Sequence, residues 1–142
     1  MNNAIYKVPQ AINEPLLNYA PGSPERETLK ATLRKMRGEV MDIPMYIGGK
    51  EIRTGKKVRM APPHDHGHTL AHFHAGDKTH VEMAIETALN AKEQWANFSW
   101  EHRASIFLKA AELLSGPYRA MINAATMLGQ SKNVFQAEVD SA

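Results

Sequence analysis

The sequence predicts an α+β fold that is mostly helical, with about four helices and a β-hairpin or small sheet on their N-terminal side. Apolar residues recur at helical spacing over residues 77–142, and the connections between the segments are short. Two strand-like runs flank Gly48-Gly49, a pair typical of a hairpin turn. Because short connections favour antiparallel neighbours, we expect the helices to pack as a small bundle.

Composition excludes several classes of protein. Of the 142 residues, 17 are Lys or Arg and 15 are Asp or Glu, so the net charge of +2 gives no reason to expect a nucleic-acid partner. The absence of cysteine excludes a disulfide framework, a thiolate metal site and a cysteine nucleophile within this chain. No window reaches the ~18 apolar residues of a membrane span, and the N-terminus has no apolar leader. We therefore expect a cytoplasmic protein without a membrane partner.

The first 38 residues predict an arm followed by a helix. Residues 1–21 contain three prolines and no sustained period, which indicates an extended arm lying on another part of the protein. In residues 22–38, Ser23 is a suitable N-cap, Pro24 suits the first helical position, and Gly38 ends the helix. The expected buried stripe consists of Leu29, Leu33 and Met36.

Residues 43–75 predict the hairpin and further strands, one of them at Lys57–Met60. Five histidines then fall at alternate positions of one stretch: His64, His66, His68, His72 and His74. In an unbroken strand they would share one face, and imidazole is a common ligand for zinc, nickel and copper. Gly67 is expected to break the strand, so we interpret the stretch as a polar strand face and keep a metal site as the alternative.

Residues 77–142 form the helical part. Asp77 and Ser99 are candidate N-caps of the first two helices, Gly116-Pro117 ends the second, and the third runs to Gly129. The positions expected to face inward are Val81, Ala84, Ile85, Ala88, Ala91 and Trp95, then Ile106, Ala110, Leu113 and Leu114, then Met121, Ile122, Ala125 and Leu128.

The last helix is expected to start at Lys132 after an N-cap at Ser131. Its apolar positions Phe135, Val139 and Ala142 continue to the end of the chain without a stop signal. We therefore interpret residues 1–142 as one truncated domain that is cut off in its last helix.

The charged residues of the helical part do not form a catalytic constellation. Glu138 and Asp140 are two residues apart and point to different faces of a helix, which favours solvated or salt-bridged roles. Lys132 follows a turn that lacks the glycines of a phosphate loop, and His80 and His102 stand singly. We therefore assign no catalytic, cofactor-binding or metal-binding residue.

Several segments, in order along nearly the whole chain, resemble 1-pyrroline-5-carboxylate dehydrogenases, a branch of the aldehyde dehydrogenase superfamily. The segments are Asn13-Glu14-Pro15, residues 22–26 (GSPER), residues 103–117 (RASIFLKAAELLSGP) and residues 126–140 (TMLGQSKNVFQAEVD). The resemblance implies the N-terminal part of an aldehyde dehydrogenase fold.

The resemblance also implies a reaction that this chain cannot complete. Such enzymes use a cysteine thiolate to attack glutamate γ-semialdehyde, NAD to accept the hydride, and a glutamate to help hydrolyse the thioester. The nucleophile, that glutamate and the main nicotinamide contacts lie downstream of the matched part. The resemblance places a substrate-side glutamate one or two turns beyond Ala142.

The parent protein is therefore expected to be an NAD-dependent oxidoreductase of proline catabolism and a homo-oligomer. The present chain is expected to be structural, inactive and without a cofactor, with the remainder of the same polypeptide as its partner. The alternatives are a stand-alone helical interaction module and a histidine-rich metal-binding protein.

Overall fold

The computed structural model describes residues 5, 7 and 9–141, which contain five helices and five short strands. The helices are α1 (Pro24–Gly38), α2 (Lys78–Asn97), α3 (Trp100–Ser115), α4 (Arg119–Gln130) and α5 (Val134–Ser141). The strands are β1 (Met41–Ile43), β2 (Met45–Ile47), β3 (Lys50–Ile52), β4 (Lys57–Met60) and β5 (Ala71–His74). None of the helices in the described residues is long and apolar enough to cross a membrane. The predicted α+β class is confirmed.

The strands form two separate sheets. The first has the order β1-β5-β4, with β1 parallel and β4 antiparallel to β5. The second is the predicted hairpin, in which β2 and β3 pair antiparallel across a turn. Both turn residues have positive φ, +61° at Gly48 and +74° at Gly49, a conformation that glycine adopts without steric cost. The hairpin prediction is confirmed.

The core joins the arm, α1, α4 and the three-stranded sheet. One cluster of buried side chains contains Tyr19, Leu29 and Ala124, and a second contains Leu70, Ala71 and Leu128. Leu33 and Met36 pack against both clusters, so the stripe predicted for α1 is confirmed. The predicted N-cap is also confirmed, because the Ser23 hydroxyl accepts a hydrogen bond from the Arg26 amide.

The predicted helical bundle is wrong for α2 and α3. The capping residues Asp77 and Ser99 lie where the sequence predicts, yet neither helix contains a buried residue. The predicted inward positions are largely in solvent, with 60% of Val81 and 55% of Ile85 exposed. Helical spacing identifies an apolar face but does not say which surface covers it. In the described residues nothing covers these two faces fully.

The start and the buried face of the last helix also differ from the prediction. Ser131 is not an N-cap: its φ of 57° is left-handed, and it ends α4. The cap is Asn133, whose side chain accepts from the Gln136 amide while the Gln136 side chain accepts from the Asn133 amide.

The side of α5 that faces the core combines the apolar Val134 and Ala137 with the carboxylate of Glu138. Phe135 and Val139, which belong to the apolar face expected to need a partner, are 68% and 50% exposed, whereas Glu138 is 1% exposed. The predicted apolar position Ala142 lies outside the described residues.

Candidate functional site

The carboxylate of Glu138, which is 1% exposed, is the centre of a buried polar cluster. Its Oε1 accepts a hydrogen bond from the Leu17 amide at 2.8 Å. Its Oε2 accepts from the Tyr19 hydroxyl and from Asn123 Nδ2, both at 2.7 Å. The Arg119 guanidinium binds both oxygens, through Nε and Nη2. We call these side chains, with the Leu17 amide, the Glu138 cluster.

Three separate elements supply the Glu138 cluster. Arg119 and Asn123 are four residues apart and therefore lie on one face of α4. Tyr19 comes from the arm, where its φ of +50° is unusual for a non-glycine residue and directs its ring into the core. Sequence analysis missed all three residues. The available signal was the polar Asn123 within the apolar run of α4, since a buried amide needs partners.

The charge states of the cluster follow from burial and hydrogen bonding. Burial alone would raise the pKa of Glu138, but the bonds from Arg119, the Leu17 amide, Tyr19 and Asn123 outweigh it and lower that pKa to about 2. Burial and the neighbouring Glu138 raise the pKa of Tyr19 to about 12. At neutral pH the carboxylate is therefore ionised and the phenol protonated. Because every oxygen of Glu138 is occupied by donors, the group is an anchor and not a proton acceptor.

The Glu138 cluster fastens the arm to the helices. Arg119 Nη2 also donates to the Pro15 carbonyl at 2.7 Å, and Arg26 donates to the Tyr19 carbonyl at 3.2 Å. These bonds, with the one from Leu17, fix the backbone of residues 15–19 against α1, α4 and α5. The predicted salt-bridged role of Glu138 is confirmed, and Asp140 is paired separately with Lys132 near the surface.

An apolar groove of about 610 Å³ lies between the hairpin and α2. Glycine at position 76 lets the two elements approach, since a Cβ there would lie 2.9 Å from the sulfur of Met45. The side chains along the groove are mainly Met45, Tyr46, Ile47, Val81, Ala84 and Ile85.

A second groove, of about 800 Å³, lies between the arm and α3. Its apolar side chains include Ile12, Trp100, Phe107 and Leu108, each more than half exposed. Phe107 also contacts Trp95 edge to face, at 6.4 Å between ring centroids, which joins the open faces of α2 and α3 into one surface.

Neither groove suits a dinucleotide. A pyrophosphate needs cations or free amides, as at an open helix N-terminus. The groove at the hairpin instead contains Asp77, which occupies the first amides of α2 itself. Among the described residues, the groove at α3 is lined by three carboxylates, those of Glu14, Glu101 and Glu112, and by one cation, Lys7. The described residues of these two grooves therefore offer few of the donors that bind a pyrophosphate.

The histidine-rich stretch does not form one unbroken strand, as expected from Gly67. Only residues 71–74 of it are a strand, because the chain turns repeatedly over residues 63–68, around Gly67. His72 and His74 are on β5, and His64 Nδ1 lies 2.7 Å from the Ser131 hydroxyl oxygen. Among the described residues, no three His, Asp or Glu side chains come together as metal ligands.

The single histidines have local structural roles. The imidazole of His80 completes a capping box with Asp77 at the start of α2, where one ring nitrogen accepts from the Asp77 amide. The ring of His102 stacks on Phe98 at 4.4 Å between centroids. Neither residue has a geometry that requires a ligand.

The sequence pattern of the aldehyde dehydrogenase family matches residues 51–142. The chain belongs to this family. The matched region includes the open helices α2 and α3 and the C-terminal half of the Glu138 cluster. The arm, which precedes the matched region, completes that cluster with the Leu17 amide and the Tyr19 hydroxyl.

Individual relatives are similar to the chain over almost all of its length. The delta-1-pyrroline-5-carboxylate dehydrogenase of Agaricus bisporus is 49% identical over 98% of the chain, and the mitochondrial enzyme of that name from Homo sapiens is 45% identical over 92%. The crystal structure of the delta-pyrroline-5-carboxylate dehydrogenase from Mycobacterium tuberculosis bound with NAD covers 98% of the chain, with 42% identity and a TM-score of 0.94. The chain spans about a quarter of the length of these relatives, 26%, 23% and 26% respectively.

Proposed function

We propose that this chain is the N-terminal portion of an NAD-dependent 1-pyrroline-5-carboxylate dehydrogenase, which oxidises glutamate γ-semialdehyde to glutamate in proline catabolism. The observation that carries the proposal is the collinear similarity, over 98% of the chain, to an enzyme of this name bound with NAD. The fold agrees with it at the level of individual elements, with a TM-score of 0.94.

The role of this portion is to support the reaction centre, not to perform the reaction. The chain has no cysteine, and its grooves do not suit NAD. The nucleophile and the cofactor contacts therefore come from the remainder of the polypeptide. We assign no step of the reaction to the residues of this chain.

The open faces of α2 and α3 are the proposed contact with that remainder. Val81, Ile85 and Leu89 repeat every four residues along one face of α2 and are 60%, 55% and 62% exposed. Burying a large apolar side chain is worth roughly 1.5–3 kcal/mol, so a surface of this kind is typical of an interface. The length of the relatives supplies an occupant, since about three quarters of each relative lies outside the matched part.

The proposed assembly is a cytoplasmic homo-oligomer. The lack of cysteine fits a reducing compartment, and the exposed apolar side chains of the arm, Ile12 and Leu16, offer surface to a second subunit. Subcellular fractionation and sedimentation of the full gene product test the two parts of this proposal.

A split-enzyme assay tests the proposed function. The 142-residue chain alone should form no NADH from NAD and 1-pyrroline-5-carboxylate. Mixed with the complementary C-terminal three quarters of the Agaricus bisporus relative, it should restore measurable NADH formation. A mixture that stays inactive while the two polypeptides bind each other would contradict the assigned reaction.

Two variants of α2 locate the contact. Ile85→Glu places a charge on the open face and should abolish complementation, because an unpaired carboxylate is costly to bury. Glu86→Gln changes the neighbouring exposed position and should leave complementation intact. Equal complementation by both variants would show that the open face of α2 is not the contact.

The open faces also favour a second candidate, a stand-alone helical interaction module. In that case the purified chain should bind a partner unrelated to dehydrogenases and should not complement the relative. The split-enzyme assay therefore separates the two functions.

A further inference from the structure

The ring of His74 is buried at the joint between the three-stranded sheet and the hairpin. His74 is the last residue of β5 and is 4% exposed. Its Nε2 lies 3.2 Å from both carboxylate oxygens of Asp42 on β1. Its Nδ1 lies 2.8 Å from the amide nitrogen of Thr54 and 2.6 Å from the carbonyl oxygen of the same residue. The ring therefore links β1 to the segment between β3 and β4.

This geometry satisfies two charge states of the ring with different partners. In the neutral ring, Nε2–H donates to Asp42 and Nδ1 accepts from the Thr54 N–H. In the imidazolium, both nitrogens carry hydrogen, so Nδ1–H donates to the Thr54 carbonyl instead. One nitrogen cannot do both. Gaining a proton therefore replaces the bond from the Thr54 N–H with a bond to the Thr54 carbonyl, and it leaves the Thr54 amide without its acceptor.

The charges around the ring come from three elements. Asp42 on β1 favours the cation. Lys57 on β4 and Arg53 after β3 both bind Asp42, at 2.6 and 3.2 Å, and oppose a third positive charge. Glu51 on β3 pairs with Arg53 on its other side. Lys57 first, and His74 next, hold the pKa of Asp42 well below its usual range, so the carboxylate stays ionised while a histidine titrates.

The segment at Thr54 is coupled to the position of the hairpin. It follows β3 directly, and the Thr54 hydroxyl donates to the Ala75 carbonyl at 3.0 Å, which ties it to the chain beyond β5. At the other end of the hairpin, a Cβ at Gly48 would lie 3.1 Å from the methyl carbon of Thr87 on α2. A shift of the Thr54 backbone therefore moves an element whose tip rests against α2.

We propose that His74 is a protonation switch: the imidazolium binds the Thr54 carbonyl in place of its N–H and loosens the hairpin β2–β3 from α2. Histidine is the side chain whose charge ordinarily changes between about pH 5 and 8. The switch controls the width of the apolar groove between the hairpin and α2. It is independent of the proposed dehydrogenase reaction.

Nitrogen-15 NMR of the 142-residue chain, titrated from pH 8 to pH 5, tests the switch. The chemical shift of His74 Nδ1 should move from that of an unprotonated nitrogen, which accepts a hydrogen bond, to that of a protonated nitrogen, which donates one. The Thr54 amide should titrate with the same midpoint, and its protection factor, taken against the intrinsic exchange rate at each pH, should be about tenfold smaller at the acid end, as expected for one lost hydrogen bond. The amide resonances of Gly48 and Thr87 should also titrate, with the same midpoint.

Two glutamine variants provide the matched comparison. In His74→Gln, the side-chain carbonyl can accept from Thr54 and the amide can donate to Asp42, which imitates the neutral ring, so the Thr54 signal should stop titrating. In His72→Gln, two positions earlier on the same strand, the Thr54 titration should be unchanged. If His74→Gln does not fold, the titration of the unmodified chain decides alone.

Three results would overturn the proposal. The His74 ring could remain neutral down to pH 5, or it could titrate while the Thr54 amide stays still. Alternatively, Gly48 and Thr87 could stay still while Thr54 moves, which would remove the coupling between the ring and α2.

Discussion

Two regions of this molecule have similar sequence patterns and opposite surroundings. The closed region consists of arm residues 9–20 with α1, α4 and α5, and it contains a buried apolar cluster and the Glu138 cluster. The open region consists of α2 and α3, helices of 20 and 16 residues that contain no buried residue. Both regions carry apolar residues at helical spacing. The difference shows that helical spacing gives a helix an apolar face, and that the fold of this chain covers this face in the closed region but not in the open region.

The largest expected effect separates the buried ion pair of the closed region from a surface pair. Arg119→Met leaves the Glu138 carboxylate buried without its counter-ion and should lower the free energy of unfolding by about 3–5 kcal/mol. Lys132→Met removes the partner of the exposed Asp140 and should cost at most about 1 kcal/mol. Urea unfolding of both variants measures the contrast. Similar losses would mean that the Glu138 cluster does not hold the closed region together.

The same leucine-to-alanine change should have different costs in the two regions. Leu29 on α1 is 4% exposed, so Leu29→Ala should lower the free energy of unfolding by about 2–5 kcal/mol. Leu89 on α2 is 62% exposed, so Leu89→Ala should change it by no more than about 0.5 kcal/mol. The test is urea unfolding of the isolated chain. A large loss for Leu89→Ala would show that α2 is already covered.

Acid should weaken the closed region through Glu138. Its folded pKa of about 2 lies below the usual value of 4.5, so the stabilisation is complete above about pH 4.5 and is lost as the pH falls through about 2. The loss should reach about 3 kcal/mol. Carbon-13 NMR of the Glu138 carboxyl measures the midpoint. A midpoint near 4.5 would contradict the described hydrogen bonds.

The smallest expected effect compares helix caps in the two regions. Asn133→Ala removes the cap of α5 and should cost about 1 kcal/mol of global stability. Ser99→Ala removes the cap of α3 and should instead speed amide exchange only within α3, because that helix contains no buried residue. Hydrogen exchange read by mass spectrometry distinguishes global from local loss. A uniform loss for Ser99→Ala would place α3 in the closed region.

The local elements were predictable because short-range chemistry determines them. The Ser23, Asp77 and Ser99 caps and the glycine turn of the hairpin involve residues within four positions of each other. The start predicted for α5 is wrong, because both Ser131 and Asn133 can cap a helix and the pattern alone does not choose between them. The Gln136 side chain, which binds back to Asn133, decides in favour of the second.

The long-range features were not predictable from spacing. The Glu138 cluster joins residues separated by up to 121 positions, and its central carboxylate lies where a surface charge was expected. Burial of a charge depends on partners from other elements, which periodicity does not report. For the same reason, the helical bundle expected for α2 and α3 was wrong. Helical spacing identifies the apolar faces of α2 and α3, but it does not identify the surface that covers them.

Hydrogen exchange of α2 and α3, with and without the complementary C-terminal polypeptide of a relative, tests the central claim most directly. The account predicts fast exchange of both helices in the chain alone and clear protection on mixing, while α1 and α4 stay protected in both samples. Full protection of α2 and α3 in the monomeric chain alone, or no gain on mixing, would contradict it.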